Sequence, residues 1–154
     1  MVQNNSTRAT VAGQTKTASE VLTTFLNHVG RGNPQQIASY FAPDGYIEAP
    51  YVASIGMPTI MAGRETIEAT MQGLLQNAPN FHFTDIRIIM ETATEAIAEY
   101  KSSATLTNGR AYNQAYICHV VTKNGEIVSH REFLNTIPFV EAFFPNGLSD
   151  LIIK

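Results

Sequence analysis

Apolar residues open the ordered part of the chain at Val21, Leu22, Phe25, Leu26 and Val29, the spacing of one helical face. Thr17 and Glu20 stand just ahead of that run as a capping-box pair, and Gly30-Arg31-Gly32 closes it. Asn33-Pro34 restarts a short helix, with Asn33 as N-cap, Pro34 in the first position and Ile37, Tyr40 and Phe41 as its apolar residues. Residues 44–52 predict a short strand, broken or held at an edge by Pro50. A loop with Gly56 and Pro58 leads to a third helix from about Gly63. Its face is Ile67, Met71, Leu74 and Leu75, and it stops at 77–79.

The period then changes from 3.6 to 2. Residues 80–91, 95–106, 111–122 and 126–135 read as strands, with turn signals at 107–109 and 123–125. Alternation slips at Thr84-Asp85, which predicts a bulge. Helices gathered ahead of a meander of long antiparallel strands make an α+β layout: one curved sheet wrapped around the helices, with an internal pocket wherever a helix stands off the concave face. Phe139, Val140, Phe143 and Phe144 crowd the tail at 138–148, and such a stretch should cap the pocket's mouth or enter a subunit interface.

Length and composition narrow the classes. A chain of 154 residues is read as one domain over 17–154 behind a polar, mobile tail at 1–16. The net charge is −3 and the ten Lys and Arg form no basic stripe, so no nucleic-acid partner is expected. No apolar run approaches a membrane span, and the N-terminus lacks the apolar core of a signal peptide, so the expected place is the cytoplasm. One cysteine, Cys118, rules out an internal disulfide and a cysteine-based zinc site.

The Asn124-Gly125 turn predicts a register for the last hairpin. With a regular two-residue loop, Val121 faces Val128, His119 faces His130 and Ile117 faces Glu132. Opposed Cβ atoms lie roughly 5 Å apart, so His119, His130 and Glu132 would cluster on one face. A carboxyl group turned into an apolar cavity has its charged form disfavoured, which suits a general acid or base. An imidazole beside it can orient or share the proton. Two histidines and a carboxylate also match a facial metal triad in form, but opposed strand histidines suit it only moderately, and no metal is expected. Tyr51 and Tyr112 could each offer a ligand area plus one hydrogen bond. The other strand tyrosines, Tyr46, Tyr100 and Tyr116, read as core.

The element order, with "GRETIEATMQGLL", "FTDIRIIMET", "GRAYNQAY" and "NGEIVSHREFLN", resembles the nuclear-transport-factor-2-like cone fold, and within it the SnoaL-like branch, above all the phenazine-biosynthesis A/B proteins. By that resemblance the acid/base carboxylate of those proteins corresponds to Glu132 and their strand tyrosine to Tyr112, both retained. Their helix histidine and serine fall on Thr70 and Leu74. The base of the related ketosteroid isomerase falls on Ala49, and its oxyanion-hole Tyr and Asp fall on Phe25 and Ile117, so steroid-isomerase chemistry is not expected. The function implied by the resemblance is cofactor-independent acid/base chemistry on a cyclic or polyketide-like carbonyl compound: cyclisation, isomerisation or dehydration. Glu132 and His130 would be catalytic, and Tyr112, Tyr51, His119, Phe25 and Ile117 would contact the ligand. The expected partners are a hydrophobic small molecule and a second copy of the chain. The alternatives are a binding module without catalysis and a protein-interaction scaffold.

Overall fold

The computed structural model describes residues 13–151, so most of the predicted tail, residues 1–12, lies outside the described residues. The elements run α1 (Ala18–Val29), α2 (Pro34–Ala38), β1 (Phe41–Glu48), a 3-10 turn (Pro50–Ile55), β2 (Ile60–Ala62), α3 (Arg64–Asn77), β3 (His82–Glu91), β4 (Glu95–Thr105), β5 (Ala111–Lys123), β6 (Glu126–Leu134), α4 (Thr136–Phe143) and a last 3-10 turn (Gly147–Leu151). Thr17 accepts a hydrogen bond from the Glu20 amide while Glu20 reaches back to the Thr17 amide, so the capping box is real. Asn33 and Gln36 form a second one.

Six strands make one curved, open sheet in the order β2-β1-β6-β5-β4-β3. All neighbours are antiparallel except β1 and β6, which run parallel. Two expectations need correction here. Phe41 does not end a helix; it opens β1 opposite Ile127, fully buried against the ring of Phe25. The strand ends at Glu48 because Pro50 starts the 3-10 turn instead of breaking a longer strand. Gly45 sits where β1 bulges toward β6: a Cβ there would lie 2.5 Å from the Ile127 carbonyl oxygen, so only glycine permits that approach. The bulge expected in β3 is present, with Asp85 at φ 53°.

Strand alternation sorts the two faces. Along β4 the inward residues are Ala96, Ala98, Tyr100, Ser102 and Ala104, all buried. Four of the five are small, which lets α1 lie close with Val21, Leu22 and Phe25 in the core. Tyr100 is the exception, and its ring is fully enclosed. Among the described residues no helix is long and apolar enough to cross a membrane.

Candidate functional site

The last hairpin decides which polar groups meet. Asn124 and Gly125 both take positive φ, as a tight two-residue turn requires, and Lys123 faces Glu126 as expected. Beyond that pair the register shifts by one residue: Thr122 faces Ile127 and Val121 faces Ser129, leaving Val128 as an extra residue. From there on the partners differ from the regular hairpin. Val120 faces His130, Cys118 faces Glu132, and His119 faces Arg131.

Three residues expected to line the internal pocket lie outside it. His119 points to the outer face, where its Nε2 lies 3.0 Å from Glu95 Oε2. It cannot join His130 and Glu132, and the facial metal triad falls with it. Ile117 is also on the outer face and half exposed, at 50%. Tyr51 belongs to the 3-10 turn, not to a strand. It is 59% exposed and packs its ring edge on Phe133, 5.6 Å between centroids, away from the interior.

His130, Glu132, Tyr112 and Phe25 do share the interior. They line a cavity of about 320 Å³ between α1, α3, α4 and the concave sheet face. Phe139 and Phe143 of α4 close one end, with Tyr112 stacked edge-on against Phe143 at 5.0 Å, so the aromatic tail covers the cavity. Arg110 holds that helix end by donating to the carbonyls of Glu141, Phe144 and Pro145. Ala49, Thr70 and Leu74 also line the cavity. These are three of the positions onto which the resemblance places acid/base groups of other proteins, and here they carry side chains without that capacity.

Glu132 has partners that the strand pattern had assigned to the core. Tyr100 donates its hydroxyl proton to Glu132 Oε2 and lies 3.1 Å from His130 Nε2; His130 Nε2 is 3.4 Å from the same carboxylate oxygen. Tyr100 is two strands away, paired with Tyr116, and Cys118 on the intervening strand is small enough for the phenol to reach across. Proton counting then sets the role of the histidine's Nε2. Tyr100 has one proton and spends it on Glu132, so its contact with His130 requires the imidazole to donate through Nε2–H. Nδ1 is the one buried side-chain nitrogen or oxygen without a partner among the described residues. Phe25 covers the imidazole edge at 5.6 Å.

A second chain runs beside this cluster. Ser102 Oγ lies 2.9 Å from the Tyr116 hydroxyl, which lies 3.3 Å from that of Tyr112. Three hydroxyl protons serve two bonds, so one proton is left for a partner outside the chain. Ser102 does not line the cavity, whereas Tyr112 does. Burial, then the charge of Glu132, holds the Tyr100 phenol well above its ordinary range, and burial does the same for Tyr116. These groups remain proton donors in ordinary buffers. What could have revealed Tyr100 is the β4 pattern itself: one large polar aromatic in a row of alanine and serine facing inward.

Burial raises Tyr112 to about 12, and burial followed by the Glu132 charge raises the Cys118 thiol to about 12. Both groups bind their protons more tightly folded than unfolded. Their contribution is intact below about pH 9 and is lost as the pH climbs toward 12. Urea midpoints should accordingly fall steeply between pH 9 and 12 but stay level from 7 to 9. Tyr112→Phe should reduce that alkaline loss by about 3 kcal/mol at most, since it removes one of the shifted groups.

Comparison with known proteins agrees with this fold. A family model described as "SnoaL-like domain" matches residues 22–130. The chain is 34% identical over 128 residues to an uncharacterized PhzA/B-like protein of Pseudomonas aeruginosa, covering 81% of this chain and 89% of that one. Among solved structures, a candidate isomerase from Bacillus subtilis superposes with a TM-score of 0.73 at 24% identity, over 82% of this chain and 91% of the other. A phenazine biosynthesis-related protein from Pseudomonas aeruginosa gives 0.70 at 17% identity, over 81% and 83%. These structural likenesses establish the fold.

Proposed function

Because the chain belongs to the SnoaL-like family, we propose that its cavity performs proton transfer on a small cyclic carbonyl compound, with Glu132 as the group that takes and returns the proton. The observation that carries this reading is the placement of Glu132: on the cavity surface, with one carboxylate oxygen fixed by Tyr100 and His130. Glu132 removes a proton from the carbon beside the carbonyl. The electron pair moves into the carbonyl, and the oxygen takes the spare proton of the Ser102–Tyr116–Tyr112 chain as a hydrogen bond from Tyr112. That chain supplies a donor where Phe25, which lines the cavity, has none to offer. The enolate then regains a proton at another carbon, closes a ring on an electrophilic carbon, or expels a β-hydroxyl group. Isomerisation, cyclisation and dehydration share this first step, and none of them calls for a cofactor. Tyr100 and His130 are positioning residues here, since both act through Glu132.

The test is deuterium exchange at the α-carbon of a panel of one- and two-ring ketones in D2O, followed by proton NMR. Catalysed exchange with at least one ketone is expected. Bound ketone without exchange would leave a binding module, the alternative reading.

We further propose that two copies pair through the outer sheet face. Ile117 and Phe133 sit there between three ion pairs: Arg87–Glu99 at 2.7 Å, Lys101–Asp85 at 3.1 Å and Arg131–Glu48 at 2.6 Å. An apolar centre ringed by equal numbers of opposite charges is complementary to itself, as a two-fold interface requires. Light scattering should give twice the 16.9 kDa chain mass, and Ile117→Asp should return the single-chain mass with the fold intact by circular dichroism.

A further inference from the structure

We infer that this cavity selects uncharged, largely hydrocarbon ring compounds and rejects carboxylates and phosphates of the same shape. The inference deepens the proposed function, since it rests on the same placement of Glu132, and it concerns which ligand enters, not what happens to it.

The lining contains no lysine and no arginine. Five of the chain's cations are engaged elsewhere: Arg64 on Glu126 and the Phe41 carbonyl, Arg87 on Glu99, Lys101 on Asp85, Arg131 on Glu48, and Arg110 on the carbonyls after α4. The single nitrogen base in the lining is His130, and its Nε2 is already turned to Tyr100 and Glu132. A ligand anion would therefore enter beside a carboxylate with no counter-charge, in surroundings where water is largely excluded.

The remaining polar groups set how much polarity a ligand can carry. Thr70 gives its one hydroxyl proton to the Thr66 carbonyl, and Asn77 is tied to the Gly73 carbonyl through one amide proton, keeping the other and its Oδ1. What remains for a ligand is the Tyr112 end of the hydroxyl chain, the carboxylate and the free half of the Asn77 amide. One oxygen to accept and one acidic hydrogen to give match the first two. The walls are apolar. Met57, Met61 and Met71, three of the five methionines in the chain, line the cavity together with Phe81, Phe83 and Phe139. Thioethers adapt to a ring face and pack well on aromatic edges. A volume of about 320 Å³ is at the small end for a ligand site and suits a one- or two-ring compound.

The experiment compares two nearly isosteric probes, 2-naphthamide and 2-naphthoate, by titration calorimetry and ligand-observed NMR on the full chain at pH 7.5. Wild-type protein should bind the amide at least a hundred-fold more tightly than the carboxylate. Glu132→Gln should bring the two within about ten-fold of each other, chiefly by admitting the carboxylate. Equal binding of both probes by wild type overturns the inference, as does failure of the amide to bind folded protein at millimolar concentration. Retained hundred-fold discrimination in Glu132→Gln overturns the assignment of the selectivity to that carboxylate. Because binding is the readout, amide-selective binding without any ketone exchange would uphold this inference while removing the catalytic proposal.

Discussion

Glu132→Gln is expected to lower catalysed α-proton exchange by roughly a thousand-fold, within the range that a positioned acid/base group contributes. The amide keeps the shape and can still accept from Tyr100, so packing around it should hold; what it loses is the capacity to take a proton. The large loss should therefore appear in kcat, with KM for a neutral ketone changed by only a few-fold. Tyr100→Phe separates the carboxylate from its support. It removes the hydroxyl that ties Glu132 to His130 and leaves the stacked ring on Tyr116, at 5.1 Å, in place. A smaller fall is expected, about ten- to a hundred-fold and in kcat more than in KM, because the carboxylate stays on the cavity surface but loses the hydroxyl that fixes it. An unchanged rate in Glu132→Gln would end the proton-transfer reading, whatever Tyr100→Phe did.

The site's place in the fold was legible in the sequence, and its membership only partly so. Element order, the Thr17 cap, the Asn124-Gly125 turn and the β3 bulge all rest on local signals, and local signals are what a single chain displays. The inward direction of Glu132 and His130 also came through. Their company did not, because it depends on one additional residue. Val128 adds no visible irregularity to an alternating run, yet it moves His119 and Ile117 to the opposite face from Glu132 and brings Cys118 alongside it. Tyr100 was hidden for a different reason. Its bond to Glu132 crosses an entire strand, and only the pairing of β4 with β5 and β5 with β6 puts the two on one line. Tyr51 misled because Pro50, taken as a break in a strand, instead starts a 3-10 turn that lifts the ring onto the outer face. The small residues of β4 were the best available sign that something large was meant to share that face.

Phe25→Ala is expected to be the most destabilising single change near the site, by about 3–5 kcal/mol. Phe25 is 3% exposed, and its ring meets three others edge-on: Phe41 at 5.3 Å, His130 at 5.6 Å and Tyr40 at 6.0 Å. It joins α1 to β1 and covers the imidazole that orients Glu132. Removing it deletes a large buried surface and adds space directly to an existing cavity, where neighbours have little reason to collapse inward. The melting temperature should fall by roughly 10 °C, given a chain of this size. Phe25→Leu keeps most of the volume and should cost about 1 kcal/mol, while losing the edge contact with His130. The pair also bears on function. If Phe25 only fills space, both variants should exchange ketones in proportion to the folded fraction. If it keeps water from His130, the leucine variant should lose exchange rate while remaining fully folded at 25 °C. Thermal melts and exchange rates measured on the same samples distinguish the two, and a loss below about 1 kcal/mol in Phe25→Ala would show that α1 is not anchored to the sheet through this ring.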